Sequence, residues 1–407
     1  LPRQQVAACA QQVYDMAPAL RFPEGIDAQR FLRDYWQQRP LLFRQALPGF
    51  DCRLTANELA GLACEEGVES RLVLERDGAS PWEMRQGPFD AADFQQLPAS
   101  HWTLLVQDVD KHWPGSADLL EHFRFLPDWR LDDVMVSYAV DQGSVGPHID
   151  DYDVFLFQTQ GRRRWKIHHQ KVTDADCIPG LDLRVLPHFE AEEEWLLEPG
   201  DMLYLPPNLA HWGVAEGACM TCSVGFRAPS YQELVTSWCD DLIERRVPPG
   251  RYRDGALQVS SASAEIRTEV ITEISKLMQQ VLEDDADNQR RWFGRYITET
   301  KQNLQLAPLD RPLEPGDFHN RYRQQGLIRR SSYTRMAFSR GAQGHDSLFA
   351  NGCEYQIPSD EGDFLPVITH YRLLHFGYLE AWLEQPDYLH LVCALYNDGH
   401  FEFPHER

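Results

Sequence analysis

Apolar and polar positions along the chain fall into three successive textures. In the first, AQRFLRDYWQQRP (residues 28–40) carries apolar side chains at helical spacing and stops before a proline. LLFRQAL follows as a predicted strand. TANELAGLACEEG predicts a helix with Thr55 as N-cap, Glu58 three residues on, and Gly67 at its end. SRLVLERDG and PWEMRQGPF predict two strands around a turn at Asp77-Gly78.

From about 131 to 228 the pattern is mostly β. DDVMVSYAV, DVFLFQTQG, RRRWKIHH, EEEWLLEPGD, DMLYLPP and CMTCSVGFRAP are short runs separated by Gly, Pro and Asp. Such spacing predicts a sandwich or barrel, with a cupin-type jelly roll as the natural candidate. After Pro229 the texture turns helical. YQELVTSWCDDLIERRV and SAEIRTEVITEISKLMQQVLEDD are amphipathic, NQRRWFGRYITETKQNL predicts a third helix, and Pro-Pro-Gly at 248–250 separates the first two. Wide apolar stripes of this kind are often covered by a second copy, so a homodimer is expected. A Pro-rich connector, LAPLDRPLEPGD, leads to a helix, strands with an Asn351-Gly352 hairpin turn, further helices and a short final strand. That mixture suggests a winged helix.

Composition adds limits. No apolar run nears the roughly 20 residues that a membrane span needs. The first residues lack the pattern of a secretory signal, and Met16 is a candidate native start. Nine dispersed cysteines fit a reduced, cytoplasmic protein. Cys219 and Cys222 form a lone C-x-x-C on an expected strand, where i and i+3 face opposite ways; they read as two small buried hydrophobes. The formal charge of −23, from 39 basic and 62 acidic residues, argues against a phosphate-backbone binder and suits a basic partner.

Candidate chemistry begins in VGPHIDDYDVFLFQ. His148 and Asp150 share a face if the strand has begun there. Either they hydrogen-bond within a core or they hold something between them. EPGDMLYLPPNLAHWG supplies a turn, a strand and then His211. A jelly roll brings distant strands together at its mouth, so His148, Asp150 and His211 could occupy one face of a metal. Two histidines and a carboxylate with open positions are the ligand set of non-haem Fe(II) oxygenases. A 2-oxoacid co-substrate would take two of the open positions, and its far carboxylate would need a buried cation. In GRRRW, Arg163 alternates against Arg162 and Arg164 and is expected to point inward alone. Ser137, and Thr221 or Ser223, are hydroxyl candidates on facing strands. Trp165 and Trp212 read as packing.

On these residues the chain resembles the Jumonji-C family of 2-oxoglutarate oxygenases. The segments NELAGLA, DWRLDDVMVSYAV, VGPHIDDYDVFLFQTQGRRRWKI, LEPGDMLYLPPNLAH and SVGFRAP are most similar to the bacterial ribosomal oxygenases. The resemblance runs from about residue 23 to near the C-terminus and loosens after about 230. It implies an α+β chain: an N-terminal extension at 1–22, a double-stranded β-helix at 23–229, a helical dimerisation segment at 230–305 and a winged-helix-like domain at 306–407. It further implies His148, Asp150 and His211 as Fe(II) ligands and Arg163 as the partner of the distal carboxylate of 2-oxoglutarate. The implied reaction hydroxylates the β-carbon of an arginine in a basic large-subunit ribosomal protein, releasing succinate and carbon dioxide. Asp151 departs from the family pattern beside the triad; either it or Asp153 is expected to receive the cationic substrate. The alternatives are the same chemistry on a histidine or lysine of another protein, a non-catalytic cupin-like regulator with a nucleic-acid-binding winged helix, and a cupin-type isomerase. For the second, RYRQQGLIRR (321–330) is the only basic candidate, so nucleic acid is not the expected partner.

Overall fold

The computed structural model describes residues 20–404 except 77–81, 170–171, 174–175, 180–183, 248–249, 252, 254–261, 263, 284, 342–343 and 360–361. Met16, most of the 1–22 extension, the Asp77-Gly78 turn and the Pro248-Pro249 break lie outside the described residues. The chain forms two compact units. One runs to Ala228 and includes Ser331–Tyr333; the other holds Pro229–Arg330 and Thr334–Arg407.

The first unit is built on one antiparallel sheet of nine strands: β1 (Leu41–Phe43), β2 (Ser70–Glu75), β3 (Trp82–Gln86), β4 (Trp102–Val106), β5 (Leu131–Ala139), β6 (Val154–His168), β7 (Glu193–Leu197), β8 (Met202–Leu205) and β9 (Ala210–Phe226). The order is β1-β8-β6-β9-β5-β4-β2-β3, with β7 also on β6. This sheet is the cupin-like fold expected from the regular β-pattern. Helices lie on one of its faces. Ala28–Asp34 starts at Asp27, which caps the Arg30 N–H, and ends earlier than the periodicity suggests because Gln37 takes φ +58°. Ala56–Leu62 has the expected capping box between Thr55 and Glu58.

Alternation divides the sheet into two faces. Val134 and Val136 of β5, Phe155 and Phe157 of β6, and Met202 and Tyr204 of β8 join Phe31 and Phe123 in the main core on the helix side. Met135, Ser137, Val154 and Leu156 face the other way and line a cavity. Within β6 the alternation slips: its register with β9 shifts between Gln158 and Gln160 and again before Arg162. Gly161 sits there at φ +62°, and a Cβ on it would lie 2.1 Å from the Ala218 carbonyl oxygen. Before the slip the even residues face the cavity; after it, Arg163 and Trp165 do.

The second unit opens with the helices Tyr231–Arg246, Thr268–Leu282 and Ala286–Thr298. Two three-stranded sheets follow. One pairs β10 (Leu327–Arg330) with β14 (Leu373–His375) and β15 (Phe401–Glu402); the other is β11 (Met336–Ser339), β12 (His345–Ala350) and β13 (Cys353–Pro358). β12 and β13 turn at Asn351 (φ +47°) and Gly352 (φ +83°), the expected hairpin. Ile271, Ile274, Leu277, Met278 and Leu282 of the second helix are all exposed.

Candidate active site

His148 and His211 are joined through their backbones before any metal is considered. Each donates its N–H to the other's carbonyl, at 3.0 and 2.9 Å, and Asn208 donates to the Asp150 carbonyl at 2.7 Å. The loop after β8 is therefore fastened to the segment before β6. The PGD turn ahead of β8 is structural. Its buried Asp201 accepts from the Glu198 and Gln45 N–H groups and from Arg44.

The three side chains converge. Ligand atoms of His148, Asp150 and His211 lie within 4.8 Å of one another. Asp150 Oδ2 is 3.8 Å from His148 Nε2 and 3.6 Å from His211 Nε2. Each Nδ1 faces a backbone carbonyl, Gly146 for His148 (2.9 Å) and Leu209 for His211 (2.8 Å). With those carbonyls as acceptors, Nδ1 carries the proton and Nε2 presents its lone pair to the centre of the group. Burial pushes His211 down to about 4, with the neighbouring His148 adding to the effect, so its imidazole is neutral and able to ligate at pH 7. Two imidazole nitrogens and one carboxylate oxygen on one side, and the cavity on the other, fit an Fe(II)-type facial site.

That cavity is about 280 Å³ and lies on the inner face of the sheet. Arg163 reaches into it from beyond the β6 slip and is 5% exposed. Its Nη1 donates to Ser137 Oγ at 3.1 Å, and its guanidinium lies 5.6 Å from the Trp165 ring centroid. Its Nε, though buried, has no hydrogen-bond partner among the described residues. A buried cation held by one hydroxyl and an aromatic face is short of an anion, which the far carboxylate of a 2-oxoacid would provide. The flanking arginines behave differently: Arg164 pairs with Glu216 at 2.6 Å, and the more exposed Arg162 lies 4.0 Å from the same carboxylate.

Among the other expected residues, Ser223 lines the cavity, whereas Thr221 is buried and donates to Gln158 Oε1 at 3.0 Å. Asp151 stands at the cavity margin, its side chain 66% exposed and paired with Arg184 at 2.7 Å. Asp153 corrects the expectation placed on it. It is fully buried on the helix side, accepting from Tyr204 Oη (2.6 Å), Gln37 Nε2 (3.1 Å) and Arg130 Nη2 (3.1 Å). It precedes Phe155 on the same face, so alternation turns it away from the cavity. Cys219 and Cys222 are both buried on opposite faces, as their spacing predicts.

Trp165 goes beyond the packing role expected of it. It walls the cavity, with its ring centroid 5.8 Å from that of His211, and Gly213 leaves room for it. Arg71, Thr103 and Gln107, from β2 and the β4 end, also line the cavity. Nothing in their local sequence marks them; only the sheet order that sets β2 and β4 beside β5 could have found them.

The sequence of residues 118–234 matches the family model for the JmjC domain, and residues 277–402 match a ROXA-like winged helix. The chain is 34% identical over 374 residues to the ribosomal protein uL16 3-hydroxylase of Escherichia coli K12, covering 92% of this chain and 96% of that protein. A probable ribosomal oxygenase of Haemophilus influenzae is 39% identical over 214 residues, 52% of each chain. Among solved structures, that of E. coli ycfD superposes with a TM-score of 0.81 at 32% identity, covering 95% of this chain and all of that one. The complex of the E. coli ribosomal oxygenase YcfD with cobalt and 2-oxoglutarate gives 0.77 at 33% identity, covering 95% and 99%.

Proposed function

The chain belongs to the JmjC-domain ribosomal oxygenases, and from that premise we propose that it is an iron(II)- and 2-oxoglutarate-dependent protein hydroxylase acting on a ribosomal protein of the uL16 type. The acceptor in this reading is the β-carbon of an arginine. The observation that carries it is the pairing of a three-ligand face with an anion-poor buried arginine across one cavity.

In this reading His148 Nε2, Asp150 Oδ2 and His211 Nε2 hold the iron, and Arg163 with Ser137 receives the distal carboxylate of 2-oxoglutarate. Bound together with dioxygen, the metal and co-substrate supply oxidative decarboxylation, one oxygen atom entering a C–H bond and the other entering succinate. The chain's own residues set the conditions. Gly146 and Leu209 carbonyls fix both imidazole tautomers. Trp165 and Leu156 keep the wall between triad and arginine apolar, which strengthens the charge-assisted contact at Arg163. Asp151, at the margin, adds negative potential where a cationic side chain enters. The net charge of −23 favours encounter with a basic ribosomal protein. A ribosomal substrate supports a cytoplasmic location for the reaction. Among the described residues no helix is long and apolar enough to cross a membrane.

The second unit is read as a homodimerising and protein-interaction module. The exposed apolar row from Ile271 to Leu282, with Val235 and Ile243 on the preceding helix, supports a second copy as its cover. Within the basic run, Arg323 faces Glu380 and Arg329 faces Glu402, which supports a role other than gripping nucleic acid.

The test is intact-mass analysis of unmodified large-subunit ribosomal proteins incubated with the enzyme and Fe(II), with and without 2-oxoglutarate, and with a His148→Ala control. One oxygen added to uL16, only with 2-oxoglutarate and only with His148 present, is the expected result. No mass gain on any ribosomal protein, despite bound iron and 2-oxoglutarate, removes the ribosomal substrate and leaves another polypeptide as the acceptor.

A further inference from the structure

The segment that carries His148 runs antiparallel beside the start of β9, and the two do not keep step. Ala215 donates to the Gly143 carbonyl at 3.0 Å, and His148 and His211 then exchange bonds after four residues of β9 but five of its partner. One residue between these two points is therefore extra, as in a β-bulge. Ser144 lies within this bulge. It is 2% exposed, and its Oγ accepts from the Gly146 N–H at 3.0 Å and from the Trp212 Nε1 at 2.8 Å. Gly146 completes the turn at φ +82°, where a Cβ would lie 2.9 Å from the Val185 Cγ1.

One hydroxyl thus joins the two segments that bear the histidines. Gly146, held through its N–H by Ser144, offers the carbonyl that fixes the His148 Nδ1. Trp212 directly follows His211 and, expected only to pack, is held on its own account. Lys166, opposite it in the β6–β9 register, places its Nζ 4.8 Å from the ring centroid, and Phe189 meets the ring edge-on at 6.0 Å. Packing there needs only a ring. The N–H adds a directed bond to a buried acceptor that already holds Gly146. Without the hydroxyl both donors lose their partner, and nothing else described for Ser144 or Trp212 ties the extra residue of the bulge to the His211 strand.

We infer that the Ser144 hydroxyl and the Trp212 indole form a clamp that sets the spacing of His148 and His211, which makes both of them positioning residues for the metal site. This rests on the reading that the triad holds a metal. Neither residue lines the cavity, and neither belongs to the ligand group. Hydrogen-bond partners that orient metal ligands change affinity by about tenfold to a hundredfold when they are lost. The clamp therefore shows first in metal binding and in the geometry of the bound ion.

The experiment is a Co(II) titration of the full-length, metal-free protein, followed by the visible absorption bands that report ligand geometry. Wild type, Ser144→Ala, Trp212→Phe and the double variant are compared. Each single variant is expected to bind Co(II) about tenfold more weakly than wild type, with shifted bands. The double variant should be no weaker than Ser144→Ala, because both residues act through one hydroxyl. The KM for 2-oxoglutarate at saturating Fe(II) should stay unchanged, since Arg163 and Ser137 are undisturbed. Trp212→Phe keeps the ring between Lys166 and Phe189 and loses only the donor, so it carries the test if Ser144→Ala unfolds. Wild-type affinity and bands in Trp212→Phe overturn the inference, and so do losses that multiply in the double variant. A wild type that binds no Co(II) overturns the reading of the triad itself, and this one with it, before any variant is compared.

Discussion

The two faces of the long sheet treat buried charge in opposite ways. On the helix side, Asp153 is wrapped by Tyr204, Gln37 and Arg130, so that each of its oxygens has donors. On the cavity side, three residues earlier, Asp150 lies 3.6–3.8 Å from two imidazoles, and Arg163 and Arg71 each keep an Nε without a hydrogen-bond partner among the described residues. The helix side has been completed by the chain itself. The cavity side is complete only when something from outside is added. Burial alone therefore says little about function; it is unfilled hydrogen-bonding capacity that separates the working face from the supporting one.

Substitutions can break or sharpen this contrast. The largest effect is expected from His211→Ala, which should reduce iron content and uL16 hydroxylation to background. Losing this buried imidazole and its hydrogen bond to the Leu209 carbonyl should also cost on the order of 2 kcal/mol, so thermal unfolding without metal checks that the variant is folded. Metal analysis and intact mass would check it, and retained turnover with bound iron would contradict the assignment. Next is Arg163→Gln, expected to raise the KM for 2-oxoglutarate about a hundredfold, near 2.7 kcal/mol. Iron content should hold, and isothermal titration with the co-substrate gives the direct comparison.

Asp153→Ala reverses the pattern. Leaving Arg130 and Tyr204 without their shared partner should cost about 3 kcal/mol of stability by denaturant titration, with the KM for 2-oxoglutarate unchanged. Burial raises the pKa of Asp153. Its contribution is therefore fully present below the ordinary aspartate value of about 3.9 and falls as pH rises through the higher folded value. The stability gap between wild type and Asp153→Ala should narrow as pH rises over that window; a widening gap would mean that the carboxylate is stabilised in its charged form. The smallest effect belongs to Asp151→Asn, expected to raise the KM for uL16 about threefold, since an exposed charge paired with Arg184 is worth under about 1 kcal/mol. No change there would sink its role in receiving the substrate.

How far the sequence can be read follows the same division. His148, Asp150 and His211 are legible because H-x-D, the PGD turn with its strand, and a following histidine occur together, in that order, in a β-rich stretch. Arg163 is legible only because it stands between two other arginines that have to face the other way. Asp153 misleads because H-x-D-D-Y-D invites all its acids to one mouth, whereas the chain enters β6 at Val154 and alternation sends Asp153 inward to Tyr204. Trp165, Arg71, Thr103 and Gln107 are not legible as site residues. A polar residue on a strand looks alike whether it faces water or a cavity, and their neighbours across the sheet are far away in sequence. In the second unit, the exposed row on Thr268–Leu282 is visible as an amphipathic pattern, and its cover depends on another surface.

The slip between Gln158 and Gln160, where Thr159 is the extra residue, acts as a change of phase in a two-beat rhythm. Upstream, the even positions of β6 sound inside the cavity; downstream, the odd ones do. A strand without that half-beat would aim Arg162 or Arg164 at the co-substrate and turn Arg163 outward, using the same three arginines. The choice of cation is thus stored at a position that touches neither metal nor co-substrate. A screen of variants scored by distance from the active centre would pass over it, although the one extra residue at Thr159 sets which arginine the chemistry meets.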